Sequence, residues 1–103
     1  MSKKSIYNKI KYGLVTIFPK EHPNFSIDNN AMIISYNKVL DSGKSMYGQI
    51  EINKDESIYM WIFLTRDTGD DIPILDHIWE NVQELLEDKD IDNCLILLGN
   101  EYN

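Results

Sequence analysis

The chain has one cysteine, Cys94, so no disulfide can close within it, and the small secreted domains that depend on such bridges are excluded. Long apolar runs are missing too. The longest, 58–64 and 94–98, fall far short of the ~20 residues that a membrane-spanning helix needs. The segment Met1-Ser2-Lys3-Lys4-Ser5 is basic but leads into no apolar stretch of signal-peptide length, so no secretion signal is expected. G-x-S-x-G, the P-loop and G-x-G-x-x-G are all absent, which removes the common hydrolase, nucleotide and dinucleotide signatures. Cations are scarce. Ten Lys+Arg face seventeen Asp+Glu, a net charge of −7 that provides no basic surface for nucleic acid. The expectation is a soluble, cytoplasmic protein that binds neither nucleic acid nor membrane.

What remains is enough for one core. With 103 residues, 43% of them hydrophobic and 11% aromatic, the chain reads as a single domain over 1–103. Its charge is split by position. Residues 1–50 hold seven lysines against Glu21, Asp28 and Asp41, a net of +4, whereas 51–103 hold Lys54, Arg66 and Lys89 against fourteen carboxylates, a net of −11. Such asymmetry between halves is a mark of an interaction surface.

Ile6, Ile10, Leu14 and Ile17 recur at helical spacing until Phe18-Pro19, because a residue before proline avoids the α region. Residues 20–30 read as a loop. Residues 31–40, 46–52 and 57–65 read as strands, the last two by strict alternation, joined by turns at 41–44 and 53–56. A second helix is expected from Pro73, with Leu75, Ile78, Trp79, Val82, Leu85 and Leu86 on one face. Residues 94–98 form an unbroken apolar run, expected as a strand buried on both faces and central in the sheet. The fold class is therefore α+β: an antiparallel β-meander with a central C-terminal strand and two helices, in the order αβββαβ.

Candidate chemistry is thin. His22 and His77 have no second ligand at metal spacing, His77 being expected on the polar side of the second helix. Residues 88–92 open like an EF-hand loop, but Asn93 replaces the glycine and Gly99 the terminal glutamate, so a helix-to-strand connection is expected. The loop 67–71 packs Asp67, Asp70 and Asp71 together without a matching base or nucleophile. Cys94 opens an apolar run and reads as a buried structural thiol. No catalytic residue, cofactor or metal is expected, and the chain is read as a non-enzyme.

Two features stand above this background. On the expected second helix Asp76, Glu80, Glu84 and Glu87 fall roughly 100–180° from Leu75, beside the apolar face. Like charges at i,i+4 destabilise a helix slightly, and Lys89 is the one nearby cation, so this stripe reads as a surface kept for its negative field. Tyr47, Tyr59, Trp61 and Phe63 share one sheet face. Either the first helix covers them, or some stand at the rim as interface anchors.

On its length, acidity, αβββαβ order and the carboxylates Asp67, Asp70, Asp71, Asp76, Glu80, Glu84 and Glu87, the chain resembles the small immunity proteins of bacterial toxin–immunity pairs, particularly those of contact-dependent growth inhibition. The likeness spans the chain and is one of format, without an individual motif. It implies a protein–protein interaction with a cognate basic toxin, first of all a ribonuclease, neutralised as an acidic surface with Tyr59 and Trp61 covers its active site. Two other readings of the acidity are a nucleic-acid mimic that blocks a DNA-binding defence protein, and a small metal-dependent enzyme built on the 67–71 loop.

Overall fold

The computed structural model describes all residues, Met1–Asn103. Helix α1 (Lys3–Ile17) starts where the Ser2 hydroxyl accepts the Ser5 N–H, and ends at Phe18 as the following proline requires. A single 3-10 turn (His22–Asn24) leads into a five-stranded antiparallel sheet. Its strands are β1 (Phe25–Asp28), β2 (Ile33–Val39), β3 (Ser45–Ile52), β4 (Ile58–Thr65) and β5 (Asp71–Trp79), and they lie side by side in chain order. Two helices close the chain, α2 (Val82–Glu87) and α3 (Ile91–Tyr102).

The α+β class and the meander follow the sequence, but the element order does not. The stretch from Pro73 to Trp79, expected in a helix, is the edge strand β5, and only its continuation forms the short α2. The apolar run 94–98, expected as the central strand, lies inside α3. Three helices are therefore present, not two, and the sheet has five strands because the 20–30 loop also contains β1.

Strands β2, β3 and β4 bury alternate residues on one face. In β4 these are Ile58, Met60, Ile62 and Leu64. Beneath them lie Ile6, Ile10, Leu14 and Ile17 of α1, Val82 and Leu85 of α2, and Ile91 and Leu95 of α3, all in one continuous core. The three helices thus share one side of the sheet.

Gly48 belongs to the buried row of β3, paired with Tyr36 on one side and Ile62 on the other. A Cβ built there would sit 1.8 Å from the Trp61 carbonyl oxygen, so only glycine lets β4 come this close. In the β2–β3 hairpin Gly43 takes φ +87°, the positive value expected of that turn.

A polar brace runs through the helical side. Buried Glu21 accepts hydrogen bonds from the Tyr36 hydroxyl (3.0 Å) and the Lys38 ammonium (2.9 Å). Buried Asp92 of α3 accepts the backbone N–H groups of Glu21 (3.0 Å) and Lys20 (3.3 Å). No buried side-chain polar atom lacks a partner, so the two carboxylates tie the turn after α1 to β2 and α3. Burial, with the Glu21 carboxylate beside it, pushes the Tyr36 hydroxyl far above the usual tyrosine range.

Candidate functional site

The face of the sheet away from the helices is uncovered. Tyr47 of β3 and Tyr59, Trp61 and Phe63 of β4 lie across it, each half-buried by its neighbours alone. Helix α1, which in one of the two readings covers these aromatics, packs on the opposite side. Strand alternation places them together: Tyr47 is paired with Phe63, and the Trp61 ring is 5.5 Å from Phe63 and 6.4 Å from Tyr47, both near edge-to-face for Trp61.

Strand β5 brings carboxylates to this row. The register shifts at Ile62/Phe63, so that Trp61 faces Asp76 while Phe63 faces Pro73. That bulge takes up Ile74 and leaves Asp71 and Asp76 both on the open face, opposite Thr65 and Trp61. Four residues of β4 therefore separate them, roughly 13 Å along the strand. The Tyr47 hydroxyl donates to Asp71 at 2.6 Å. That hydrogen bond, first among the causes, pushes the Tyr47 hydroxyl above the usual tyrosine range, and the Asp76 carboxylate does the same to Tyr59. Tyr59, Trp61, Phe63, Pro73 and Asp76 line a depression of about 310 Å³.

The seven carboxylates read as one patch are divided by the fold. Asp71 and Asp76 flank the aromatics. Asp67 and Asp70 lie in the β4–β5 hairpin, where Asp70 pairs with Arg66 at 3.1 Å. Glu80 follows the other end of β5, a strand of nine residues and so roughly 27 Å away. Glu84 and Glu87 belong to α2 on the helical side, where Glu84 accepts the Glu80 N–H at 2.9 Å and Glu87 the Gln83 amide at 2.8 Å. A helical stripe of Asp76, Glu80, Glu84 and Glu87 does not exist, because the first of these is on a strand. Tyr47 and Phe63 belong with the site; their alternation with Tyr59 and Trp61 was the signal for them.

The remaining candidates fall elsewhere. His77 is not on a helix but on β5, facing the helical layer, with its ring 4.5 Å from Trp79 and its Nε2 4.0 Å from Asp88. Asp88 leads into α3 by accepting the N–H groups of Asp90 and Ile91, and it also accepts the Trp79 indole N–H at 3.0 Å. Partial burial pushes its carboxyl up, but these hydrogen bonds, Trp79 foremost, outweigh that and hold it below the usual range. The 88–92 segment joins two helices rather than a helix and a strand. Cys94, expected to be buried, is exposed on α3. No three His, Cys, Asp or Glu side chains are grouped as metal ligands, and no helix is long and apolar enough to cross a membrane.

The tyrosine–carboxylate pairs have a measurable consequence. In spectrophotometric titration Tyr47 and Tyr59 are expected to ionise later than free tyrosine, and Asp76→Asn is expected to bring Tyr59 down while leaving Tyr47 in place. Because the folded values are raised, the stability these pairs add is complete below the free-tyrosine range and is lost as pH rises through the folded values. An unchanged titration curve in Asp76→Asn would show that the Tyr59–Asp76 pair does not form in solution.

Neither the protein-family models nor the curated proteins and solved structures compared with the chain match it. The class defined by fold and surface is thus a small α+β domain with one bare, aromatic and acidic sheet face.

Proposed function

We propose that the chain is a binding protein, not an enzyme, that neutralises a basic partner protein through the open face of its sheet. The particular reading is an immunity-type inhibitor of a cognate toxin acting in the cytoplasm. A nuclease is the partner class of first choice, since its active site must be positive to hold phosphates. One observation carries this reading: four aromatic side chains lie on the sheet face that no helix covers, and the carboxylates that rise among them, Glu51, Asp71 and Asp76, have no cation partner in the chain. A contiguous row of half-buried aromatics left without a cover is suited to an interaction site, of which aromatic residues are the usual anchors. The carboxylates add long-range attraction for a positive cleft, which speeds encounter and excludes acidic partners.

The test uses the basic protein encoded beside this chain's own gene, purified and mixed with it. A stoichiometric complex is expected that abolishes the partner's nuclease activity and associates more slowly as salt rises. Reversing Asp71 and Asp76 together to lysine is expected to slow association about tenfold or more, whereas reversing Glu84 and Glu87 changes it by less than about twofold. An association rate indifferent to Asp71 and Asp76 would remove the open face from the interface. Capture of several unrelated DNA-binding proteins instead of one partner would favour nucleic-acid mimicry.

A further inference from the structure

The depression between β4 and β5 has a composition that selects one kind of side chain. Its walls are the rings of Tyr59, Trp61 and Phe63 with Pro73, and its one charged group is Asp76, directly across the strand pair from Trp61. At about 310 Å³ it has room for a single side chain, ligand pockets spanning roughly 300–1,000 Å³. The chain offers nothing to fill it: Arg66 is engaged with Asp70 and Lys38 with Glu21, and no cation pairs with Asp76.

We propose that this depression receives an arginine side chain of the partner, with its guanidinium against the Trp61 and Phe63 rings and its N–H groups on the Asp76 carboxylate. The assignment rests on the binding role proposed above and names the group that the open face would recognise. The planar guanidinium is weakly hydrated, stacks on aromatic faces and still presents N–H donors at its edge. It can therefore meet ring and carboxylate together. The lysine ammonium is compact and strongly hydrated, and would have to shed water to enter between rings. The Asp76 carboxylate shares the depression with the Tyr59 hydroxyl and has acceptor capacity for the incoming donors.

The pocket is tested without the partner, by nuclear magnetic resonance titration with the capped tripeptide Gly-Arg-Gly and its lysine and citrulline counterparts. Saturable shifts in the millimolar range are expected for the Trp61 indole N–H and the Tyr59 and Phe63 rings with the arginine peptide. Lysine should bind at least about fivefold more weakly, and citrulline, which keeps the shape without the charge, should give no saturation. Asp76→Asn should abolish saturation by arginine. Equal binding of lysine and arginine, retention in Asp76→Asn, no saturation by arginine, or shifts confined to the lysine-bearing α1 would each overturn the assignment.

The two proposals fail separately. Arginine binding as described, beside a partner complex untouched by Trp61→Ala, would keep the pocket and reject the neutralising interface. An unoccupied depression, beside a complex destroyed by that substitution, would keep the interface and reject arginine as its anchor.

Discussion

Gly48→Ala is expected to destabilise the domain by about 3 kcal/mol or more, the upper range for overpacking a core. The added methyl would lie 1.8 Å from the Trp61 carbonyl oxygen, 2.9 Å from its carbonyl carbon and 2.8 Å from the Ile62 side chain. A side chain can rotate away from such a contact, but a central-strand carbonyl can move only with its strand. Domains of this size are stable by about 5–15 kcal/mol, so the loss should be plain as a lowered midpoint in urea. The contrasting substitution is Gly43→Ala. Nothing lies within 4 Å of a Cβ there, and only its positive φ is strained, at a cost of roughly 1–2 kcal/mol. A midpoint for Gly48→Ala equal to or above that of Gly43→Ala would mean that the strands do not approach as described. Since the displaced carbonyl belongs to Trp61, the folded fraction of Gly48→Ala should also show an altered Trp61 indole resonance. Core and open face are coupled at that carbonyl.

The meander was legible because β3 and β4 alternate strictly and their turns carry the residues such turns need. β5 was not legible, for a physical reason. The bulge at Ile74 breaks its period of two, so Ile72, Ile74 and Leu75 follow no alternation. Beyond the bulge the sense is inverted: His77 faces the helices while Ile78 is 63% exposed on the open side. An apolar residue kept out and an imidazole kept in imitate helical periodicity when joined to Val82, Leu85 and Leu86. The same inversion makes sense if the open face is a binding surface, because sequence rules assume that exposed positions serve only solvent.

The helical spacing of α3 shows only over its whole length. Ile91, Leu95 and Gly99 are buried at intervals of four, with Leu98 and Tyr102 packed on the core beside them. Residues 94–98 alone do not show that spacing: they form a five-residue apolar block, whose Cys94 is exposed and whose Leu97 is 58% exposed. Asp92 concealed the helix further, since a carboxylate buried to accept two backbone N–H groups reads in sequence as part of an acidic loop. The candidate site was legible residue by residue but not as a group. Tyr59, Trp61, Asp71 and Asp76 all stand out in the sequence, but its helical spacing groups Asp76 with Glu80, Glu84 and Glu87. Only the strand register, which no local pattern encodes, sets it opposite Trp61.

Trp61→Ala is expected to weaken binding of the basic partner by about 30- to 1,000-fold, the consequence of losing a hot-spot contact of roughly 2–4 kcal/mol. Three placements argue for so large an effect. Trp61 is central, between Tyr47 and Phe63 on its own face and opposite Asp76. It is held by its neighbours, so little side-chain freedom remains to be lost on binding. Its ring also forms a wall of the depression that contains Asp76. The fold should tolerate the substitution, because the indole lies outside the core. Loss of its cross-strand pairs is expected to cost about 1 kcal/mol, read from the urea midpoint. Calorimetry with the partner supplies the affinity, and Tyr12→Ala on α1, 77% exposed and on the other side of the molecule, supplies the comparison. The effect should appear mainly as faster dissociation, since the charges that steer encounter remain. Reversal of Asp71 and Asp76 should act chiefly on association. Affinity equal in Trp61→Ala and Tyr12→Ala would place the interface away from the aromatic row and leave the bare sheet face without a role.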